Sequence, residues 1–144
     1  MSSRVYELFL FDIFIAISKI EIVSSKFTDA NDLLHDFVSW DSIIREFEII
    51  GEATNIAIKN GLIDNRYRVV VDFRNKIIHH YFGIDLDAVW SVVHSELASY
   101  KTYIIEQIQS IDDEQLRDDL LASTIKDNKL YPQVIKSLEV LVYQ

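Results

Sequence analysis

The sequence predicts an all-α protein, on three observations. Three glycines and one proline in 144 residues leave little material for the tight turns of a sandwich or barrel. Ile, Leu, Glu, Lys and Ala recur at helical spacing. The stripe Leu86, Val89, Trp90, Val93, Leu97, Tyr100, Ile104 and Ile108 follows the three-and-four rule for about six turns, the clearest periodicity in the chain.

The elements follow in order. A first helix over about Arg4 to Ser24 is apolar around more than half its circumference (Val5, Leu8, Phe9, Ile13, Ala16, Ile17 and Ile20, with Phe11, Phe14 and Ile15 beside them). Such a helix needs burial on two sides, and a partner subunit is one way to supply the second. After a polar link from Ser25 to Ala30, Asn31 to Trp40 forms a short helix leading into a longer one from Asp41 to about Lys59. The inner face of that longer helix is Ile43, Ile44, Phe47, Ile50, Thr54 and Ile58. Asn60-Gly61 stops it, because glycine accepts the left-handed conformation that closes a helix.

A further helix covers roughly Arg66 to Tyr81 and is broken at Gly83. Asp85 caps the long stripe-bearing helix that follows. Beyond the acidic linker Ile111 to Glu114 come two weaker helices, about Gln115 to Ile125 and Pro132 to Tyr143, the second with proline at its start. We divide the chain into a helical bundle over 1–109 and a C-terminal helical extension over 110–144 packed on it.

Composition limits the function classes. The chain is 49% hydrophobic, with mean hydropathy +0.10, as expected of one compact domain with a real core. There is no cysteine, so disulfides, thiolate metal sites and a cysteine nucleophile are excluded, and a reducing cytosol suits the chain. The apolar run Leu8 to Ile17 is too short to span a bilayer, is interrupted by Asp12, and lacks the basic leader and cleavage site of a signal peptide.

Net charge is −9, which argues against a general nucleic-acid coating protein. Between Lys59 and His80, however, Lys59, Arg66, Arg68, Arg74 and Lys76 face only Asp64 and Asp72, a local balance of +3 that leaves −12 on the rest. This basic island could admit one short anionic segment while the acidic body repels long tracts; ordinary solvated charge would give the same count.

The segment Arg74 to Tyr81, R-N-K-I-I-H-H-Y, carries the chemistry. Arginine is a permanently charged fork matched to phosphate oxygens, and histidine exchanges protons near neutral pH. On a helical wheel Arg74 points into an apolar stripe of Val70, Val71, Phe73, Ile77, Ile78 and Tyr81, while Arg68, Asp72, Asn75, Lys76 and His79 share the opposite face. Asn75 and His79 are four apart and can touch, as can Arg68 and Asp72.

A buried arginine needs an anion. Three sources are open: a phosphate, a partner subunit, or an internal carboxylate such as Glu48, Glu52 or Asp12. For His79 the plain reading is a solvated surface histidine. Arg74 and His79 are offset by ~140° and ~7.5 Å on one ideal helix, so a bent helix end, a reaching arginine or two copies about a two-fold axis would be needed to aim both at one atom. His35, His79, His80 and His94 form no spaced ligand set, so no metal is indicated.

The spacing of Arg74, His79 and Tyr81, followed by F-G-I-D-L-D-A-V-W from Phe82 to Trp90 and preceded by E-I-I-G-E-A from Glu48 to Ala53, resembles the HepT-like branch of the HEPN superfamily. The likeness covers about Arg4 to Gln107. It implies a four-helix up-and-down bundle, a homodimer with a composite cleft, and metal-independent endoribonuclease activity without a cofactor. The resemblance makes Arg74 and His79 the catalytic pair, with Asn75 as the supporting polar residue.

It further implies a cytoplasmic toxin acting on RNA, neutralised by a cognate minimal nucleotidyltransferase antitoxin that in some cases transfers AMP to the tyrosine of the motif, here Tyr81. Two features depart from the pattern. The tail from Ser110 to Gln144 has no counterpart, and Gly61 to Tyr67 lacks a proline-tryptophan approach to the motif helix. A non-catalytic nucleotide-binding adaptor for a nucleotidyltransferase, and a plain helical oligomerisation domain, are the alternatives.

Overall fold

The computed structural model describes residues 5–79 and 83–142, and these are helical with no strand among them. The helices are α1 (Leu8–Ser24), α2 (Ala30–His35), α3 (Phe37–Lys59), α4 (Arg68–His79), α5 (Leu86–Ser91), α6 (Leu97–Gln109), α7 (Glu114–Asp127), α8 (Pro132–Ser137) and α9 (Glu139–Val142). A 3₁₀ turn, Asn65–Tyr67, leads into α4, and a π-helical turn, Val92–Glu96, joins α5 to α6. The bundle is built on α1, α3, α4 and the α5–α6 rod, as the sequence predicts.

Short side chains set the boundaries. Asp29 accepts the Asn31 amide at 2.6 Å to start α2, and Asp36 accepts the Ser39 amide at 3.2 Å to start α3. The second cap begins the long helix at Phe37, four residues before the expected Asp41, and confines the short helix to Ala30–His35. α1 begins at Leu8 rather than Arg4, with no side-chain cap. Gly61 has φ +73°, which lets the Leu62 amide reach the Ala57 carbonyl at 2.9 Å and the Gly61 amide reach that of Ile58 at 3.1 Å. This paired closure is the reason a glycine stands there. Asp85 and Asp113 cap α5 and α7 through the amides of Ala88 and Leu116.

The core joins Leu10, Ile13, Phe14 and Ile17 of α1 to Ile43, Phe47 and Ile50 of α3, Ile77 of α4, and Leu97, Ile104 and Ile108 of α6. α3 packs along both α1 and α4. The second apolar side of α1 is covered within the chain by α6, α7 and α8, with Leu120 and Leu138 of the extension joining the core. Within one chain, α6 and the C-terminal extension supply the second buried side that the sequence of α1 calls for. A Lys101–Glu21 ion pair at 2.8 Å also ties α6 to α1.

The stripe from Leu86 to Ile108 is buried or half-buried throughout, but not on one continuous α-helix. At Val92–Glu96 the backbone widens, with His94 Nδ1 2.9 Å from the Trp90 carbonyl and the Ser95 hydroxyl bonded to that of Ser91. Those carbonyls are the α-helical acceptors for the amides of residues 94 and 95, so the side chains take over acceptors that the wide turn releases. The last predicted helix is likewise split, at Leu138. Among the described residues no helix is long and apolar enough to cross a membrane.

Candidate functional site at the seam of α3 and α4

The motif helix lies against the middle of α3, and the contact is unusually close at one point. A β-carbon built on Gly51 would overlap the Cβ and Cγ of Arg74 and stand 3.2 Å from its Cδ. Gly51 is buried, so the aliphatic stem of Arg74 runs across bare backbone where any other residue would block it. Phe47, one turn earlier on α3, meets Phe73 edge-on with ring centroids 5.2 Å apart. These contacts fix where the guanidinium emerges.

At the rim of the seam the Arg74 Nη2 donates to Glu52 Oε1 at 2.8 Å, and Nη1 donates to Asn75 Oδ1 at 3.2 Å. The Arg74 side chain is 26% exposed and that of Glu52 62%. Arg74 Nε is buried without a hydrogen-bond partner, so these two acceptors do not saturate the group. Of the three anion sources left open by the sequence, the internal carboxylate is the one observed, and it is Glu52 rather than Glu48 or Asp12 that bonds to Arg74. Because Glu52 is mostly solvated, the pair is a surface contact that an incoming anion can compete with, not a sealed core bridge.

His79 is exposed at the last residue of α4, and no hydrogen bond joins it to Arg74 or Asn75. The expected Asn75–His79 touch is absent because the Asn75 carbonyl oxygen is turned to Arg74. Arg68 also declines its expected partner Asp72 and donates to Asn55 Oδ1 on α3 at 2.9 Å, since both Arg68 and Arg74 lean across the seam. The single chain therefore gathers Arg74, Asn75, Glu52 and Gly51, and leaves His79 apart from them. Tyr81 and His80 lie outside the described residues.

The other flank of α4 borders a groove of about 560 Å³ whose lining includes Phe47, Tyr67, Val69, Phe73, Leu97 and Tyr100. Deep beside it the Tyr100 hydroxyl and the Thr54 hydroxyl meet at 2.6 Å, and burial pushes the Tyr100 phenol well above its ordinary range. Among the described residues no three His, Cys, Asp or Glu side chains gather as a metal site would require. Two contributors escaped sequence reasoning. Glu52 and Gly51 both stand in the E-I-I-G-E-A segment that carries the resemblance, but the sequence did not choose Glu52 among the three candidate carboxylates and gave Gly51 no role in the site.

The sequence is similar to those of known proteins. Over 104 residues, 70% of this chain and 94% of the relative, the sequence is 32% identical to a Methanocaldococcus jannaschii protein named "Putative RNase MJ1380". It is 37% identical over 73 residues, 49% of this chain and 66% of the relative, to the "Probable ribonuclease HepT" of Thermococcus cleftensis. No solved structure matches the chain. The family model described as "Ribonuclease HepT-like" matches residues 13–111, which include α3, α4, Arg74, Asn75 and His79 and stop where the C-terminal extension begins. The chain belongs to the HepT-like family of the HEPN superfamily.

Proposed function

We propose that this chain is a metal-independent endoribonuclease, the toxin of a toxin-antitoxin pair, with Arg74 and His79 as its catalytic residues and Asn75 in support. The observation that carries the reading is the setting of Arg74: its stem is locked over Gly51, its head is delivered to a solvent-accessible rim inside the basic island, and only an exposed carboxylate and an amide hold it. A guanidinium placed only to bridge two helices does not need a glycine cut out beneath it.

In the proposed reaction a ribose 2'-hydroxyl attacks the adjacent phosphate, the bond to the 5'-oxygen of the next nucleotide breaks, and a cyclic phosphate remains. His79 moves the proton to or from these oxygens, and Arg74 stabilises the charge gathering on the phosphoryl group. The offset of the two side chains on α4 is met by pairing two copies about a two-fold axis, so that one composite cleft holds both groups. With α1 already covered, that dimer uses another face. A cognate minimal nucleotidyltransferase is the proposed antitoxin, and AMP added to Tyr81 would bring bulk and negative charge beside Arg74, blocking RNA by repulsion and by occupying the guanidinium.

The Arg74–Glu52 pair itself favours a second reading, a non-catalytic nucleotide-binding or adaptor module whose arginine is satisfied at home. The test is cleavage of end-labelled RNA in the presence of a chelator. Wild-type protein should cut and leave cyclic phosphate ends, whereas the Arg74→Ala and His79→Ala variants, folded by circular dichroism, should not. A folded double variant that still cuts RNA or still arrests growth would sink the proposal, and nucleotide binding without any cutting would transfer support to the adaptor. Intact mass after co-expression with a cognate minimal nucleotidyltransferase reads the modification of Tyr81.

A further inference from the structure

A second cluster sits at the other end of α4. Arg66, in the 3₁₀ turn, places its Cζ 4.9 Å from the ring centroid of Tyr67 and 5.4 Å from that of Tyr103 on α6. The two rings lie 4.1 Å apart and tilted by 31°, with Tyr100 behind them 5.1 Å from Tyr67. Every hydroxyl of the group is tied: Arg66 donates to that of Tyr67 at 3.2 Å, the Asp64 amide donates to that of Tyr103 at 2.9 Å, and Tyr100 meets Thr54. The Tyr67–Tyr103 pair is fixed and half-buried, while Arg66, almost equally far from both ring centres and so beside the pair at its hydroxyl rim, is exposed.

We propose that Arg66, Tyr67 and Tyr103 form a stacking subsite for a base of single-stranded RNA, remote from the cleavage point. The inference rests on the ribonucleolytic reading given above and adds where the substrate strand is held. Three features support it. The planar Arg66 guanidinium is held at the rim of the ring pair yet exposed, and a nucleobase can stack on such a plane as it would on a ring. Among the described residues the Arg66 head donates to a phenol rather than to a carboxylate, and the nearest acid, Asp64, spends an oxygen on the Arg66 backbone amide at 2.8 Å.

Arg68, next along the seam toward Arg74, donates to the neutral Asn55, so among the described residues two of the island's three arginines have no carboxylate ion-pair partner, which keeps their charge available to phosphate. Arg66 precedes Arg74 by eight residues, roughly 12 Å along the helix axis. That is a reach of a few nucleotides of extended strand, so the subsite governs binding and register and leaves the chemical step alone. A purely structural role, tying the 3₁₀ turn to α6, would need the same rings but no open guanidinium face.

The test uses the full chain carrying His79→Ala, so that bound RNA survives, and a single-stranded RNA with a fluorescent adenine analogue at successive positions. Binding should quench the analogue at one position away from the cut. Adding Arg66→Ala should abolish that quench and weaken the Kd at least about fivefold, the low end for losing one stacked base. Arg66→Lys keeps the charge and the fold but not the planar face, and should also lose the quench; Tyr103→Phe keeps the ring and should retain it.

Unchanged quench and affinity in both Arg66 variants would overturn the subsite, as would failure of the parent to bind RNA. The two proposals fail separately. Wild-type protein that cuts RNA, with an indifferent Arg66, removes only this one; protein that cuts nothing yet shows the Arg66-dependent quench removes only the nuclease.

Discussion

Gly51 lies directly beneath the stem of Arg74, and the two helices that carry them can approach this closely only because α3 has no side chain at that point. Ordinarily alanine in place of a mid-helix glycine gains up to about 1 kcal/mol. Here the added methyl meets the near end of the arginine, which cannot swing aside without moving α4. Gly51→Ala should therefore destabilise the protein by about 1–3 kcal/mol, the usual cost of overpacking, and lower RNA cleavage in the variant that still folds. Chemical denaturation gives the first number; a gain in stability would mean the seam is looser than the geometry requires.

Glu52 is the next lever. Its carboxylate is largely solvated, so Glu52→Gln should shift unfolding by no more than about 1 kcal/mol. In the proposed nuclease the same change removes a negative charge 2.8 Å from the guanidinium that must meet phosphate, while loosening its aim. KM for RNA should fall severalfold and kcat should fall roughly tenfold, a split that steady-state kinetics reads directly. If both constants stay at the wild-type level, Glu52 has no part in presenting Arg74.

Buried hydroxyls give a stability prediction independent of function. Tyr100→Phe leaves the fully buried Thr54 hydroxyl without its 2.6 Å partner and should cost about 1–3 kcal/mol. Replacing both, Tyr100→Phe with Thr54→Val, removes donor and acceptor together and should recover much of the loss. Additive losses in the double-mutant cycle would show that the two groups are not coupled.

Glu46 supplies a pH dependence. Burial raises its pKa above the ordinary carboxylate value of 4.5, and the opposing pull of Lys19 and Arg45 does not cancel this. A carboxyl with a raised native pKa makes the folded state hold a proton that the unfolded chain has released. This carboxylate therefore weakens the fold above its native pKa, and the penalty disappears as pH falls through that pKa toward 4.5. Glu46→Gln should raise the melting temperature at pH 7.5. The advantage should shrink toward pH 4.5; a gain that does not change with pH would rule out charge burial as its source.

Much of this molecule was readable without coordinates. The helical class, the capping aspartate at position 85, the closure at Gly61, the buried stripe from Leu86 to Ile108 and the inward direction of Arg74 all depend on residues within one or two turns of each other, and such local geometry is printed in the order of side chains. What tertiary structure decided was every partnership across helices. Which of three carboxylates meets Arg74, why Gly51 is bare, and what covers the second side of α1 follow from how α3 packs on α4 and how α6 and the tail fold over α1. The π turn at Val92–Glu96 belongs there too, because a three-and-four repeat looks the same whether or not the backbone beneath it widens. Packing register brings together residues tens of positions apart, and periodicity along one helix carries no information about the rotation of its neighbour.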